Sequence, residues 1–183
     1  MSAYGFIALE NENKDYVRLL IQYDSHPQNM LTNLIMLINR DGIETVRTTL
    51  ANYPVWTSIV HNQVDIANVT PNQNAPLQSA ERCAWEEENY GMAFIPGYGC
   101  HYDDDTDNHP HIVKNTGARL EPGLFQNVLC NFGYIVRENG DIETYSKTYP
   151  KEWKVVGTTR PGHHTGKTEQ QLRSIITATY VPA

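Results

Sequence analysis

The sequence predicts one α+β domain, an antiparallel sheet built from hairpins and packed against two or three helices. Three features carry this expectation. Apolar residues alternate with polar ones near the start of the chain, and an Asn-Gly pair separates two apolar runs near residue 140. Between them and at the end, apolar residues recur at helical spacing. Period two buries one face of a strand, and a spacing of three and four buries one stripe of a helix.

Tyr4, Phe6 and Ala8, then Val17, Leu19, Ile21 and Tyr23, alternate around the polar Asn11–Asp15 stretch. This reads as a hairpin, 4–10 with 16–23. Pro27 then opens a helix, because its missing N–H falls where no intrahelical partner exists. Leu31, Leu34, Ile35 and Ile38 form its apolar stripe, and Asn39-Arg40-Asp41-Gly42 ends it. A second helix carries Ile43, Val46 and Leu50 and stops before Pro54, after which Trp56, Ile59 and Val60 return the chain to the core. Residues 61–80 and 103–123 are polar enough to be long loops within a domain spanning 1–183. Glu81–Asn89 reads as one or two helical turns, Tyr90–Tyr102 as a glycine-interrupted strand, and Phe125–Cys130 as an apolar segment. Tyr134–Val136 and Ile142–Ser146 flank Asn139-Gly140, which supplies the positive φ of a tight hairpin. Trp153–Val156 is a further strand, and Thr168–Thr179 a final helix with Leu172, Ile175 and Ile176 on one side.

Bulk properties narrow the function classes. Fourteen Lys and Arg stand against 21 Asp and Glu, a formal charge of −7, and no basic stripe occurs. Nucleic-acid binding is therefore not expected, since phosphate backbones recruit Lys and Arg. No run approaches the ~20 apolar residues of a membrane span. The start of the chain lacks a signal-peptide pattern, and three cysteines without a CxxC suit a reducing compartment. The expected location is the cytoplasm, and a homo-oligomer is compatible with the eleven tyrosines.

Three clusters carry potential chemistry. His101, Asp103, Asp105, His109 and His111 lie within eleven residues and offer imidazole and carboxylate ligands for a divalent metal. The spacing matches neither an EF-hand, which needs glycine at Asn108 and glutamate at Lys114, nor the helical histidine pair of a zinc hydrolase. The ordinary reading is a solvated polar loop, and no cofactor is otherwise expected. Gly166, Lys167 and Thr168 precede the final helix, as in a phosphate loop, but Pro161 replaces its first glycine. What survives is an anion seat at a helix N-terminus, against an ordinary loop capped by Thr168. Tyr23, Asp24, Ser25 and His26 lead into the helix at Pro27, where Asp24 or Ser25 would cap it and Tyr23, Asp24 and His26 could flank an anion. Neighbouring residues do not make a catalytic triad, whose members must converge from separate segments.

Ile7-Ala8-Leu9-Glu10-Asn11-Glu12-Asn13, followed by the Tyr23–Pro27 corner, resembles the opening of a family of small uncharacterised bacteriophage and prophage proteins, with Tyr98–Asp105 and Tyr134–Tyr145 matching its later strands. The resemblance spans about half the chain. The family's Gly-Tyr after the corner and the arginine of its later strand are absent here. It implies a phage-encoded protein in the host cytoplasm and no assigned activity. The expected function is then a non-catalytic accessory binding protein, sequestering a small phosphorylated or nucleotide ligand or engaging a host protein to counter host defence. Two alternatives stand beside it: a metal-dependent hydrolase or nuclease using the 101–111 cluster, and a virion structural or assembly component.

Overall fold

A computed structural model describes residues 4–62, 65–76, 79–102, 111–126, 129–148 and 152–180. In chain order the elements are β1 (Gly5–Glu10), β2 (Tyr16–Ile21), α1 (Pro27–Asp41), α2 (Ile43–Ala51), β3 (Val55–Ile59), α3 (Ala80–Tyr90), β4 (Met92–Ile95), β5 (Gly99–Tyr102), β6 (His111–Val113), α4 (Pro122–Phe125), β7 (Phe132–Val136), β8 (Ile142–Thr148), β9 (Glu152–Thr159) and α5 (Glu169–Thr179), with a 3₁₀ turn at Pro161–His164 before α5. The fold class is α+β, as expected. Nine strands form one sheet in the order β4-β5-β3-β2-β1-β7-β8-β9, with β6 paired to β2 beside β3. The sheet is mixed: β1 runs parallel to β7, and β2 parallel to β3, while the remaining pairs are antiparallel. Hairpins join only antiparallel neighbours, and both parallel pairs here are joined by crossovers carrying helices.

The first hairpin pairs Gly5 with Ile21 through Glu10 with Tyr16. Its turn is closed by Asn11, whose Oδ1 accepts from the N–H groups of Asn13 and Asp15 at 3.0 and 3.1 Å. The second hairpin turns at Asn139-Gly140, with Gly140 at φ +94°. α1 buries Met30, Leu31, Leu34, Ile35 and Leu37, α2 buries Val46 and Leu50, and α5 buries Leu172 and Ile176. These stripes meet Ile7, Leu9, Leu19, Ile21, Trp56, Tyr134 and Val136 on one sheet face.

The other face is apolar as well. Phe6, Ala8, Tyr16, Ile135 and Tyr145 pack there against Val113, Leu124, Phe125 and Cys130. All six residues of β1 are buried, the signature of a central strand covered on both sides. Gly133 is required on this face, because a Cβ there would come within 2.4 Å of Phe6 Cζ. The Phe6 ring thus lies across β7 and meets Phe125 and Trp153 edge-on, at 5.5 and 5.8 Å.

Three elements are longer or differently built than the sequence suggests. The charged 81–89 stretch belongs to the three-turn helix α3, capped by Ser79, whose hydroxyl accepts from the Arg82 N–H at 3.1 Å. Within 103–123, β6 and the start of α4 interrupt the expected loop; in 61–80, the described residues hold no strand or helix before α3. Among the described residues no helix is long and apolar enough to cross a membrane.

Candidate functional site

The two expected anion seats do not converge. Arg173 of α5 donates to Asn29 Oδ1 at 2.5 Å near the start of α1, while Asn39, near the end of α1, donates to the Pro161 carbonyl at 2.9 Å. The two helices are therefore antiparallel, and their N-termini lie at opposite ends of the contact. The α5 terminus also satisfies itself. Thr168 Oγ1 accepts from the Gln171 N–H, and Gln171 Oε1 accepts from the Thr168 N–H, a complete capping box. Lys167 Nζ contacts His164 Nδ1 at 3.0 Å, and Gly166 sits at φ +82° to make the turn. Burial, then the neighbouring Lys167 and His163, holds the His164 imidazole below its ordinary value.

At the α1 end the residues serve the fold. His26 is the N-cap and makes no side-chain cap, so neither Asp24 nor Ser25 caps the helix as expected. Ser25 is fully buried against Gly5, where it leaves no room for a Cβ, and its carbonyl accepts from the Tyr134 hydroxyl. Asp24 turns the chain at φ +55°, the Tyr23 N–H is bonded to the Thr57 carbonyl, and the exposed His26 ring lies 5.0 Å from Phe132.

The metal cluster is only partly described. Asp103, Asp105 and His109 lie outside the described residues. His101 points inward: 2 % exposed, its ring stacks on Tyr53 at 3.5 Å and meets Trp56 edge-on at 5.7 Å. His111 is exposed on β6. Among the described residues no group of three or more His, Cys, Asp or Glu is placed to hold a metal ion.

Two arginines on the second sheet face separate structural from unmet polar chemistry. Arg137, at the end of β7, is saturated. Its fork embraces Glu143, its Nη1 donates to Glu10 and to the Tyr16 hydroxyl at 2.9 Å each, and Tyr145 donates to Glu143 at 2.7 Å. The Glu143 contact, partly opposed by burial, holds the Arg137 guanidinium well above its ordinary value. This network locks β1, β2, β7 and β8 together.

Arg18 is the opposite case. It sits in the middle of β2, in register with Ala8 of β1 and His111 of β6. Its guanidinium lies over the Phe6 ring at 5.2 Å. Its Nε and Nη2 are buried, and among the described residues they have no acceptor and no carboxylate pairs with Arg18. Burial pushes the guanidinium below its ordinary value, while the neighbouring Cys130 thiol, by charge and by a side-chain hydrogen bond, acts the other way. Burial in turn pushes Cys130 up, against the pull of Arg18 and Lys147, so the thiol stays protonated at neutral pH.

The same aromatic cluster holds a second unmet donor. Trp153 packs on Phe6 and Phe125, and its buried indole N–H has no acceptor among the described residues. Lys147 lies 5.7 Å from the Trp153 ring. Arg18 and Trp153 thus bring buried donors without acceptors among the described residues to one aromatic locus, in a chain of formal charge −7. Buried polar groups are paired in more than nine cases of ten. A set that contains donors only is what an acceptor-bearing ligand would complete.

Compared with known proteins, the chain matches no family model, no curated protein and no solved structure. The chemistry of the site therefore rests on its own residues. The sequence reading passed over Arg18 because it alternates with Val17 and Leu19 and so falls on the face assigned to water. The signal against that assignment was present: Tyr16 and Leu20 flank Arg18 on the same face, and β1 reads Gly-Phe-Ile-Ala-Leu-Glu, apolar on both sides. Packing on that face half-buries Arg18 and takes its Nε and Nη2 out of water.

Proposed function

We propose that this protein binds, without transforming, a small ligand whose anionic group is held by Arg18. The observation that carries the reading is the pair of buried guanidinium nitrogens, Nε and Nη2, left without an acceptor. A guanidinium presents parallel donors that match two oxygens of a phosphate or carboxylate, and such charge-assisted bonds are about twice as strong as neutral ones. The Phe6, Phe125 and Trp153 rings pack together beside it, an apolar neighbourhood that would suit a ligand with a ring or nucleobase next to its anionic group. Cys130, the one nucleophile at hand, is held protonated by burial, and no base bonds to it among the described residues. Binding accounts for these residues, and a covalent reaction does not need them. Under the phage-type resemblance, the ligand would be a phosphorylated host signal removed from solution by sequestration.

The test is mass spectrometry of small molecules released on denaturing the purified protein, followed by thermal melting against phosphate, nucleotides and aromatic carboxylates. A native-state ligand at a hundred times its Kd stabilises by about 2.7 kcal/mol. The expected result is a released anion, or a panel member, that raises Tm in the wild type and leaves Arg18→Met unmoved. A panel with no shift in the wild type, and an empty protein, refutes the reading.

A further inference from the structure

A cavity of about 740 Å³ opens between the 65–71 segment, α3 and β4. Its walls are apolar where they are closed: Ile66, Val69, Pro71 and Phe94 line it, with Ala84 buried at its base. Its charged lining is all of one sign, the exposed Asp65, Glu87 and Glu88 at its rim, and among the described residues no cationic side chain lines it. The nearby base, Arg82 of α3, is committed elsewhere. It donates to Glu86 at 2.9 Å and to the Gln73 carbonyl, and it lies over the Trp85 ring at 4.9 Å.

Glu87 and Glu88 also stand at the wrong end of their helix. They occupy the last turn of α3, which carries no basic residue. The carbonyls exposed at a helix C-terminus form its negative pole, so carboxylates there are repelled and a cation is attracted. The cavity therefore combines an apolar body with three carboxylates at its rim and, among the described residues, no counter-charge in its lining. Hard metal ions seek oxygen on every side and gain nothing from Ile66, Val69 or Phe94. Anions are repelled. A cation with an apolar body uses both halves of the site, with the Phe94 ring as a face for the charge.

We propose that this cavity is a second binding site, separate from Arg18, for an organic amine or quaternary ammonium group carried on an apolar body. Benzyltrimethylammonium is the probe, with benzyl alcohol as its neutral counterpart, benzoate as its anionic one and calcium as a metal control. Binding to the full chain is followed by backbone amide NMR shifts and calorimetry. The expected result is saturable shifts at Ile66, Val69, Ala84 and Phe94 with the ammonium probe. Affinity should weaken about tenfold or more in the double variant Glu87→Gln, Glu88→Gln, by loss of two facing charges. It should fall with added salt and stay unchanged in Arg18→Met. Benzyl alcohol binding as tightly as the cation would overturn the proposal, as would calcium shifting these residues while the ammonium probe does not, or no shift at these residues at millimolar probe.

Discussion

Replacing Arg18 with methionine sets the demands of binding against those of folding. In the unliganded protein the buried Nε and Nη2 have no acceptor, and each such donor costs about 1–3 kcal/mol. The contact over Phe6, at 5.2 Å, returns about 1 kcal/mol. Methionine keeps much of the apolar stem that arginine lays along the sheet and removes the charge. The balance is a gain of about 1–5 kcal/mol for Arg18→Met. At about 2–4 °C per kcal/mol for a chain of this size, Tm should rise by roughly 2–20 °C. Thermal melting followed by circular dichroism, on protein freed of small molecules, measures it. An unchanged or lower Tm in Arg18→Met would show that the guanidinium is satisfied in the free protein, and the argument for a ligand at Arg18 would fall with it.

Other expectations follow from the same geometry. Gly133→Ala pushes a methyl to within 2.4 Å of Phe6 Cζ and should cost about 1–3 kcal/mol, read as a lower urea midpoint at unchanged m value. Thr168→Ala opens the α5 capping box and should cost about 1 kcal/mol while leaving anion binding intact; a loss of binding would move the site to α5. His61 accounts for a pH dependence: its backbone N–H donates to Asn33 Oδ1, its Nδ1 lies 2.7 Å from the same oxygen, and its Nε2 lies 3.6 Å from Glu169. Burial, with Arg40 and Arg173, outweighs Glu169 and lowers its pKa in the fold, so its contribution is fully present above the unfolded value near ~6.5 and is lost as pH falls from there through the folded value. Chemical denaturation at pH 7.5 and 5.5 should show this loss in the wild type and a smaller one in His61→Gln; equal losses would remove His61 as the cause.

Much of the architecture is written locally. The Asn11 turn, Pro27 at the head of α1, Gly42 between α1 and α2, Asn139-Gly140 and the Thr168 cap each act within a few residues, so spacing alone reveals them. What pairs with what is not local. Nothing in the sequence around Gly5 announces Phe132, and nothing around Leu20 announces Val55, because parallel pairing is decided by how crossovers pack rather than by turns. The site failed to emerge for a related reason. A period-two pattern assigns faces, but only the placement of α4 and Cys130 says that the second face is covered, and that covering leaves the Nε and Nη2 of a half-buried Arg18 without an acceptor among the described residues. The tempting clusters were visible because their residues are adjacent in sequence. Structure assigns His101 to the core and Thr168 to its own helix.

The parallel pairing of β1 with β7 also bears on how the chain is made. Of the strands in the sheet β1 is made before β2 and β7, and its hairpin partner β2 follows at once. Its second neighbour, β7, is synthesised only after residues 132–136 emerge. Through that interval β1 is an apolar strand with one bare hydrogen-bonding edge, the kind of surface that recruits other chains. The centre of the sheet can close only after translation has passed β7, so release of a fragment ending before Val136 should yield a sticky, incomplete sheet, and the nascent protein is a natural client for chaperones that shield strand edges.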